Sequence, residues 1–357
     1  MSGALAQAPL LQRYRSFLPL EENLDIISLD EGNTPLVYLK TISIPSRNIE
    51  VYAKCEGMNP TGSFKDRGMT FAVTMAASQG ARAIICASTG NTSASAAAYA
   101  ARAGLSAYVV IPDGKIATGK LAQAIMHGAR VIQISGNFDT GMAIVKEMSD
   151  QGLVTMVNSV NPYRLYGQKT AAFEIVDQLE RAPDYHFLPV GNAGNISAYW
   201  MGYADYIDNG VISKGPAMIG CQAAGAAPFL RGGPIERPET IATAIQIGRP
   251  QSWDLALAAQ KESGGWFRES SDQDILKAQK MLAEQEGIFC EPASAVCIAG
   301  LIQELNSERI SDGATVVCTL TGHGLKDPVC AIEQSEKPIK VSGDLNAVRK
   351  IIMEGID

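Results

Sequence analysis

Histidine is scarce in this chain, with three in 357 residues, and no two of its seven cysteines stand in C-x-x-C spacing. Structural zinc sites draw on close-set Cys and His, so none is expected. Charged residues make up only 19%, against roughly 25% in an average soluble protein. The formal net charge is -7 and no Lys/Arg-rich run occurs, so neither nucleic acid nor an anionic membrane surface is an expected partner. An anionic small molecule stays open, but a local site must attract it against the overall charge. No apolar run approaches the ~20 residues that span a bilayer. The N-terminal "MSGALAQAPLLQRYRSFLPL" lacks a charged stretch leading into an apolar one, so no secretory leader is expected. Cys86 in "RAIICAS" and Cys318 in "ATVVCTL" lie in apolar runs and read as buried thiols. That usage suits a reducing compartment, and a cytoplasmic location is expected.

What is present is an alternation. Short β-branched apolar runs at 49–56, 82–88, 106–112, 129–135, 153–159, 185–190, 216–223 and 315–321 are separated by Ala-rich helical patterns, several ending at Gly. Such alternation predicts α/β architecture, with mostly parallel sheets flanked by helices. The length allows two domains. Segment 224–251 is rich in Gly, Pro and Ala and reads as a loop near a substrate entrance or as a subunit contact. The tail after Pro338 reads as a strand and a short helix closing the domain. Ligands of parallel sheets bind at the carboxyl ends of strands, so three loops that follow strands carry the functional reading.

In "VGNAGNISAYWMGY", an apolar run ending at Val190 meets Gly191-Asn192-Ala193-Gly194-Asn195, and a helical pattern follows. A Gly-rich turn at a helix start presents free N–H groups and the positive end of the dipole. Neither the P-loop lysine nor the G-x-G-x-x-G spacing is present, so a single phosphate is the expected guest; an ordinary strand–helix turn fits as well. In "ASTGNTSASAAAYAARAG", Ser88, Thr89, Thr92, Ser93 and Ser95 cluster around Gly90-Asn91. They suit a carboxylate or phosphate cradle, or simple capping of the helix. In "NPTGSFKDRGM", Lys65 follows turn material and opens a helix. The helix dipole and burial there both disfavour a protonated amine. A neutral lysine serves as nucleophile, base or carrier of an aldehyde cofactor; a solvated surface lysine is the bland alternative. Asp66 and Arg67 are expected to fix the helix start.

With "GSFKDRG", "STGN" and "GNAGN" in this order, the chain resembles the fold-type II pyridoxal-phosphate enzymes, the tryptophan synthase β-like family, over roughly residues 30–330. The resemblance implies two domains, each a mostly parallel sheet flanked by helices. The larger, cofactor-bearing one would comprise 1–55 plus 155–357, and the smaller, 56–154, would carry Lys65 and the STGN loop. It implies pyridoxal 5'-phosphate as cofactor, with Lys65 carrying its aldehyde and Asn91 bonding its phenolic oxygen. Gly191, Asn192, Ala193, Gly194 and Asn195 would hold its phosphate, and Thr321 would face its pyridine nitrogen. A neutral hydroxyl there permits an unprotonated ring and favours elimination over transamination; Thr321 also reads as a strand-end hydroxyl satisfying backbone groups.

Within the family, "EGNTPLVYL" (31–39), "NSVNPYRLYGQKTAAFEI" (158–175) and "LTGHGLKDP" (320–328) resemble the threonine synthase branch. That branch implies a lyase acting on O-phospho-L-homoserine and water to give L-threonine and phosphate, with Lys65 as the catalytic base. Arg164, Asn158, Ser159 and Lys115 would bind the substrate's phosphate, and Ser88, Thr89 and Thr92 its carboxylate. Arg164 also reads as a surface arginine after a turn, and Lys115 as a solvated loop lysine. A threonine/serine dehydratase of the same fold and a non-catalytic cofactor-binding protein are the alternatives. No metal is expected, and the family suggests a homodimer.

Overall fold

The computed structural model describes residues 8–113 and 118–355. The chain forms two compact units, Met1–Asp327 and Pro328–Asp357. Among the described residues, ten strands lie in the first: β1 (Leu36–Tyr38), β2 (Glu50–Cys55), β3 (Ala83–Ala87), β4 (Ser106–Pro112), β5 (Arg130–Ile134), β6 (Thr155–Met156), β7 (Tyr185–Pro189), β8 (Ala217–Ala223), β9 (Trp266–Ser270) and β10 (Thr315–Leu320). Its longer helices are α1 (Lys65–Ser78), α2 (Asn91–Ala103), α3 (Thr118–Met126), α4 (Phe138–Asp150), α5 (Pro162–Leu179), α6 (Gly194–Asp208), α7 (Trp253–Ser263), α8 (Asp272–Glu286) and α9 (Pro292–Asn306).

The strands form two sheets. One has the order β1-β2-β10-β7-β8-β9 and is parallel except where β1 meets β2. The other has the order β5-β4-β3-β6 and is parallel throughout. Every residue of β10 is buried, as expected of a central parallel strand covered on both faces. Its side chains alternate between two apolar clusters. Val316, Cys318 and Leu320 pack with Ile275, Leu282, Val296 and Ile298, whereas Val317 packs with Phe173, Tyr199 and Tyr203. Cys86 is likewise fully buried.

Helices α1 and α5 cross where neither can carry a side chain. A Cβ on Gly167 would stand 2.0 Å from the Arg67 carbonyl oxygen, and one on Gly68 would stand 2.6 Å from Arg164 Nε. These glycines bring the helix that begins at Lys65 against the one that bears Arg164.

Two expectations are corrected. The apolar run 153–159 pairs as a strand only at Thr155–Met156. Beyond it, the Asn158 side chain takes over the ladder, its Oδ1 accepting from Ala87 N (3.0 Å) and its Nδ2 donating to Ala87 O (2.9 Å). In the second unit, helices α10 (Pro328–Gln334) and α11 (Leu345–Glu354) form, but no strand occurs at 338–344. Asp344 instead caps α11 by accepting from Ala347 N (2.9 Å), the task such short polar residues favour.

Candidate functional site

Lys65 opens α1 from a turn that its own neighbours hold shut. Asp66 accepts from Thr61 N (2.7 Å), Thr61 Oγ1 (2.6 Å) and, across from α2, Ser95 Oγ (2.6 Å). Burial nonetheless lifts the Asp66 carboxyl to about 6. Arg67 turns the other way, into a buried ion network. It donates to Glu56 (2.7 and 2.8 Å) and Glu174 (2.6 Å), and Lys54 and Arg13 also reach Glu174. Burial alone would raise Glu174, but Arg67 and Lys54 hold it well below the usual carboxylate range. The "EGNTP" segment is tied to the same place through Asn33 N to Glu174, Thr34 to Glu56 and Gly32 N to Asn59. The charges flanking Lys65 therefore build its support and leave the amine itself unpaired. Lys65 Nζ lies 4.2 Å from the centre of the Phe64 ring. Burial and the nearby Arg164 cation push it down to about 7, with Glu291 opposing.

A cavity of about 930 Å³ lies over this amine and is lined by Lys65, Asn91, Thr321 and all of Gly191–Asn195. It brings together most of the residues singled out in the sequence. Ser88, Thr89 and Thr92 line it at the start of α2, and Asn158 and Ser159 line it at the end of β6. Ser88 Oγ accepts from Gly90 N (3.2 Å) within the turn, while Ser93 and Ser95 bond to Gly90 O and Asp66. The Gly191–Asn195 loop follows β7 and enters α6 through Ala193, which takes a left-handed conformation (φ +66°). The first N–H groups of such a helix have no intrahelical acceptor. A Cβ on Gly191 would stand 3.0 Å from Ile245 Cα, so the loop is pressed against the cavity wall.

The turn after β10 is stitched to the turn before Lys65. Phe64 N donates to Thr321 O (2.9 Å) and His323 N to Gly62 O (2.9 Å). Thr321 Oγ1 shares a hydrogen bond with Ser294 Oγ (3.0 Å), which also accepts from Gly322 N (2.9 Å). Arg164 is placed differently and is not among the residues that line the cavity. It is fully buried beside α1, and Nη1 donates to Val157 O (2.8 Å), while Nε and Nη2 have no acceptor. Burial pulls it down to about 10, so it stays cationic at neutral pH. Lys115 lies outside the described residues.

Three contributors escaped sequence reading. Glu291 lines the cavity and accepts from Asn91 Nδ2; burial raises its carboxyl, against the pull of Asn91, Lys326 and Lys65. Ser294 is the partner of Thr321. Lys326 lines the cavity while donating to Thr61 O (2.8 Å) and Gln123 (2.6 Å). Much of 234–251 forms a wall of the cavity, which favours the entrance reading of that segment. An acid immediately before Pro292 at a helix start, inside an apolar stretch, was the one signal available for Glu291.

The residues fit pyridoxal 5'-phosphate on structural grounds. Both polar atoms of the Asn195 side chain are buried without a partner, next to a helix start that presents donors to an anion. An unpaired, depressed lysine stands across the same cavity, and a hydroxyl pair, Thr321 with Ser294, lies at the strand end. The comparisons with known proteins agree. The sequence profile of the pyridoxal-phosphate dependent enzymes matches residues 27–322. The threonine synthase of Synechocystis sp. is 54% identical over 98% of this chain and 92% of its own length. That of Mycobacterium tuberculosis is 55% identical over 93% of each, and that of Methanocaldococcus jannaschii is 50% identical over 96% and 87%. Among solved structures, maize serine racemase superposes with a TM-score of 0.71 at 19% identity, covering 91% of this chain and 93% of its own. The processed form of threonine deaminase isoform 2 from Solanum lycopersicum also gives 0.71, at 20% identity, covering 88% and 98%. At such identities the structures speak for the fold, and the sequences for the lineage: the chain belongs to the family of pyridoxal-phosphate dependent enzymes.

Proposed function

We propose that the chain converts O-phospho-L-homoserine and water to L-threonine and inorganic phosphate, as the names of its sequence relatives suggest. The Cγ–O bond to phosphate breaks with its electron pair leaving on phosphate, Cβ gives up one proton and gains the hydroxyl of water, and the protons released by Cβ and water end on Cγ and on phosphate. The observation that carries this reading is a single cavity that sets the Lys65 amine against the Gly191–Asn195 loop, with Ser88, Thr89 and Thr92 on its wall; Arg164, buried outside that lining, is assigned to the substrate's phosphate. A buried guanidinium with two nitrogens lacking acceptors is costly to leave uncompensated, and a phosphate oxygen pair matches its fork. Asn158 and Ser159 line the cavity just ahead of it in the chain, and Lys115 is assigned to the same phosphate. Ser88, Thr89 and Thr92 take the carboxylate.

When bound, the cofactor supplies the electron sink for a carbanion at the substrate's Cα. Lys65 would hold the cofactor's aldehyde, and its amine would take the proton from Cα and later return it. An amine that titrates near neutrality is matched to both tasks. Asn91 would donate to the phenolic oxygen, Gly191 to Asn195 would hold the cofactor's phosphate, and Thr321 would meet the pyridine nitrogen without charging it.

The division into a larger domain (1–55 plus 155–357) and a smaller one (56–154) is part of this reading. The separate four-stranded sheet supports it, although β6 pairs within that sheet and argues for a boundary just after Met156. A homodimer and a cytoplasmic location also belong here. Six of the seven cysteines are buried, which suits a reducing compartment. Among the described residues no helix is long and apolar enough to cross a membrane.

Steady-state kinetics of Arg164→Ala test the reading. KM for O-phospho-L-homoserine should rise about 10–100-fold, as for loss of hydrogen bonds to a charged group, with less change for an unphosphorylated amino acid. Equal losses on both would reduce Arg164 to a packing residue, and 2-oxobutanoate formed from threonine as the main activity would make the chain a dehydratase.

A further inference from the structure

Glu291 stands where the chain enters α9, and its backbone N–H donates to Gly322 O (3.0 Å). Its side chain is 5% exposed and lines the same cavity as Lys65 and Asn91. Both carboxylate oxygens lie 3.3 Å from Asn91 Nδ2. Room for that carboxylate exists because residue 322 is glycine: a Cβ there would stand 2.4 Å from Glu291 Oε1.

We propose that Glu291 is a positioning residue that fixes which end of the Asn91 amide faces the cofactor. A side-chain amide presents two donors at nitrogen and an acceptor at oxygen, and the two ends are nearly the same shape. A carboxylate only accepts, so it draws the nitrogen of Asn91 toward itself. One N–H is then spent on Glu291, and the second N–H of the same nitrogen is the group left for a cavity acceptor. The phenolic oxygen of pyridoxal phosphate is such an acceptor, and a flipped amide would set Oδ1 against it. The proposal rests on the assignment of Asn91 to that oxygen.

A double-mutant cycle on cofactor binding tests it. Apo forms of the wild type, Asn91→Ala, Glu291→Ala and the double variant are titrated with pyridoxal 5'-phosphate alone, and the dissociation constant and visible absorbance maximum are recorded. Each single variant should weaken binding about tenfold, the scale of one hydrogen bond, and Glu291→Ala should move the absorbance maximum in the same direction as Asn91→Ala. The double variant should bind within about twofold of Asn91→Ala, because Glu291 acts only through that residue. Losses that multiply to about a hundredfold would overturn the proposal while leaving the Asn91 assignment intact. So would a Glu291→Ala maximum identical to wild type with only the melting temperature lowered. An Asn91→Ala protein with unchanged affinity and maximum would remove the assignment and the proposal together. If Glu291→Ala does not fold, the isosteric Glu291→Gln replaces it. Its amide allows Asn91 to sit either way round, so a shifted maximum supports the proposal and an unshifted one overturns it.

Discussion

Lys54 and Lys65 both lose water to the fold, Lys54 fully and Lys65 in part, and on consecutive elements they meet opposite surroundings. Lys54 is fully buried at the base of the ion network, donating to Thr34 O (2.8 Å), Glu174 (3.0 Å) and Gln178 (2.9 Å). Every donor it owns is used, and the acceptors include a full negative charge. Lys65 has an aromatic ring and an uncompensated arginine for neighbours, with Glu291 as the counterweight. Burial lowers both amines, but at Lys54 the Glu174 carboxylate works directly against it. A buried amine whose donors are all taken is part of the framework; one left without a partner is available for chemistry. The network beside the site lets the fold tolerate the second kind.

The sharpest break in this comparison is exchange of roles. Lys65→Ala should abolish threonine formation, since loss of proton transfer at Cα alone costs roughly 10²–10⁴-fold, and should remove the visible absorbance of the bound cofactor. Its thermal stability should hold or rise, because an unpaired, partly desolvated amine is gone. Glu174→Gln should do the reverse. Breaking a buried ion pair by removing one partner costs about 3–5 kcal/mol, readable by urea unfolding, with the absorbance band retained. A Glu174→Gln protein of wild-type stability would show that the network carries no weight.

Titration sharpens the comparison further. The unfolded chain keeps the Lys65 proton up to the ordinary value of 10.5, while the folded apo protein releases it above about 7. Between those limits the unfolded state binds more protons, so apo stability should climb with pH, and Lys65→Met should flatten the climb. The rate at which apo protein captures pyridoxal 5'-phosphate should rise through a midpoint near 7; a midpoint near 10 would mean that the amine is solvated. The smallest effect is expected at the strand end. Thr321→Ala loses the bond to Ser294 and should cost about 1 kcal/mol in unfolding free energy.

The legible part of the molecule was the part that local pattern decides. β4 occupies the 106–112 run in full, because a strand buried on both faces reads as continuous hydrophobicity. The three loops converge because parallel strands place their carboxyl ends on one side. What escaped depended on tertiary detail. β1 and β9 are short edge strands of the large sheet, and β9 carries Arg268 and Glu269 in its middle. No pattern of hydrophobicity announces that Asn158 will stand in for backbone. Glu291 and Ser294 reach the site from a helix start far along the chain, and the glycine that admits Glu291, Gly322, reads in sequence as turn material. Asp66 and Arg67 were expected to fix the helix start, and do, but their partners Ser95, Glu56 and Glu174 lie on other elements.

Borohydride reduction of the holoenzyme, followed by peptide mass mapping, tests the central contrast most directly, because it fixes the cofactor on whichever amine holds it. The account predicts the pyridoxyl mass on the peptide containing Lys65 and none on Lys54; label on Lys54, Lys326 or any other lysine in place of Lys65 would contradict it.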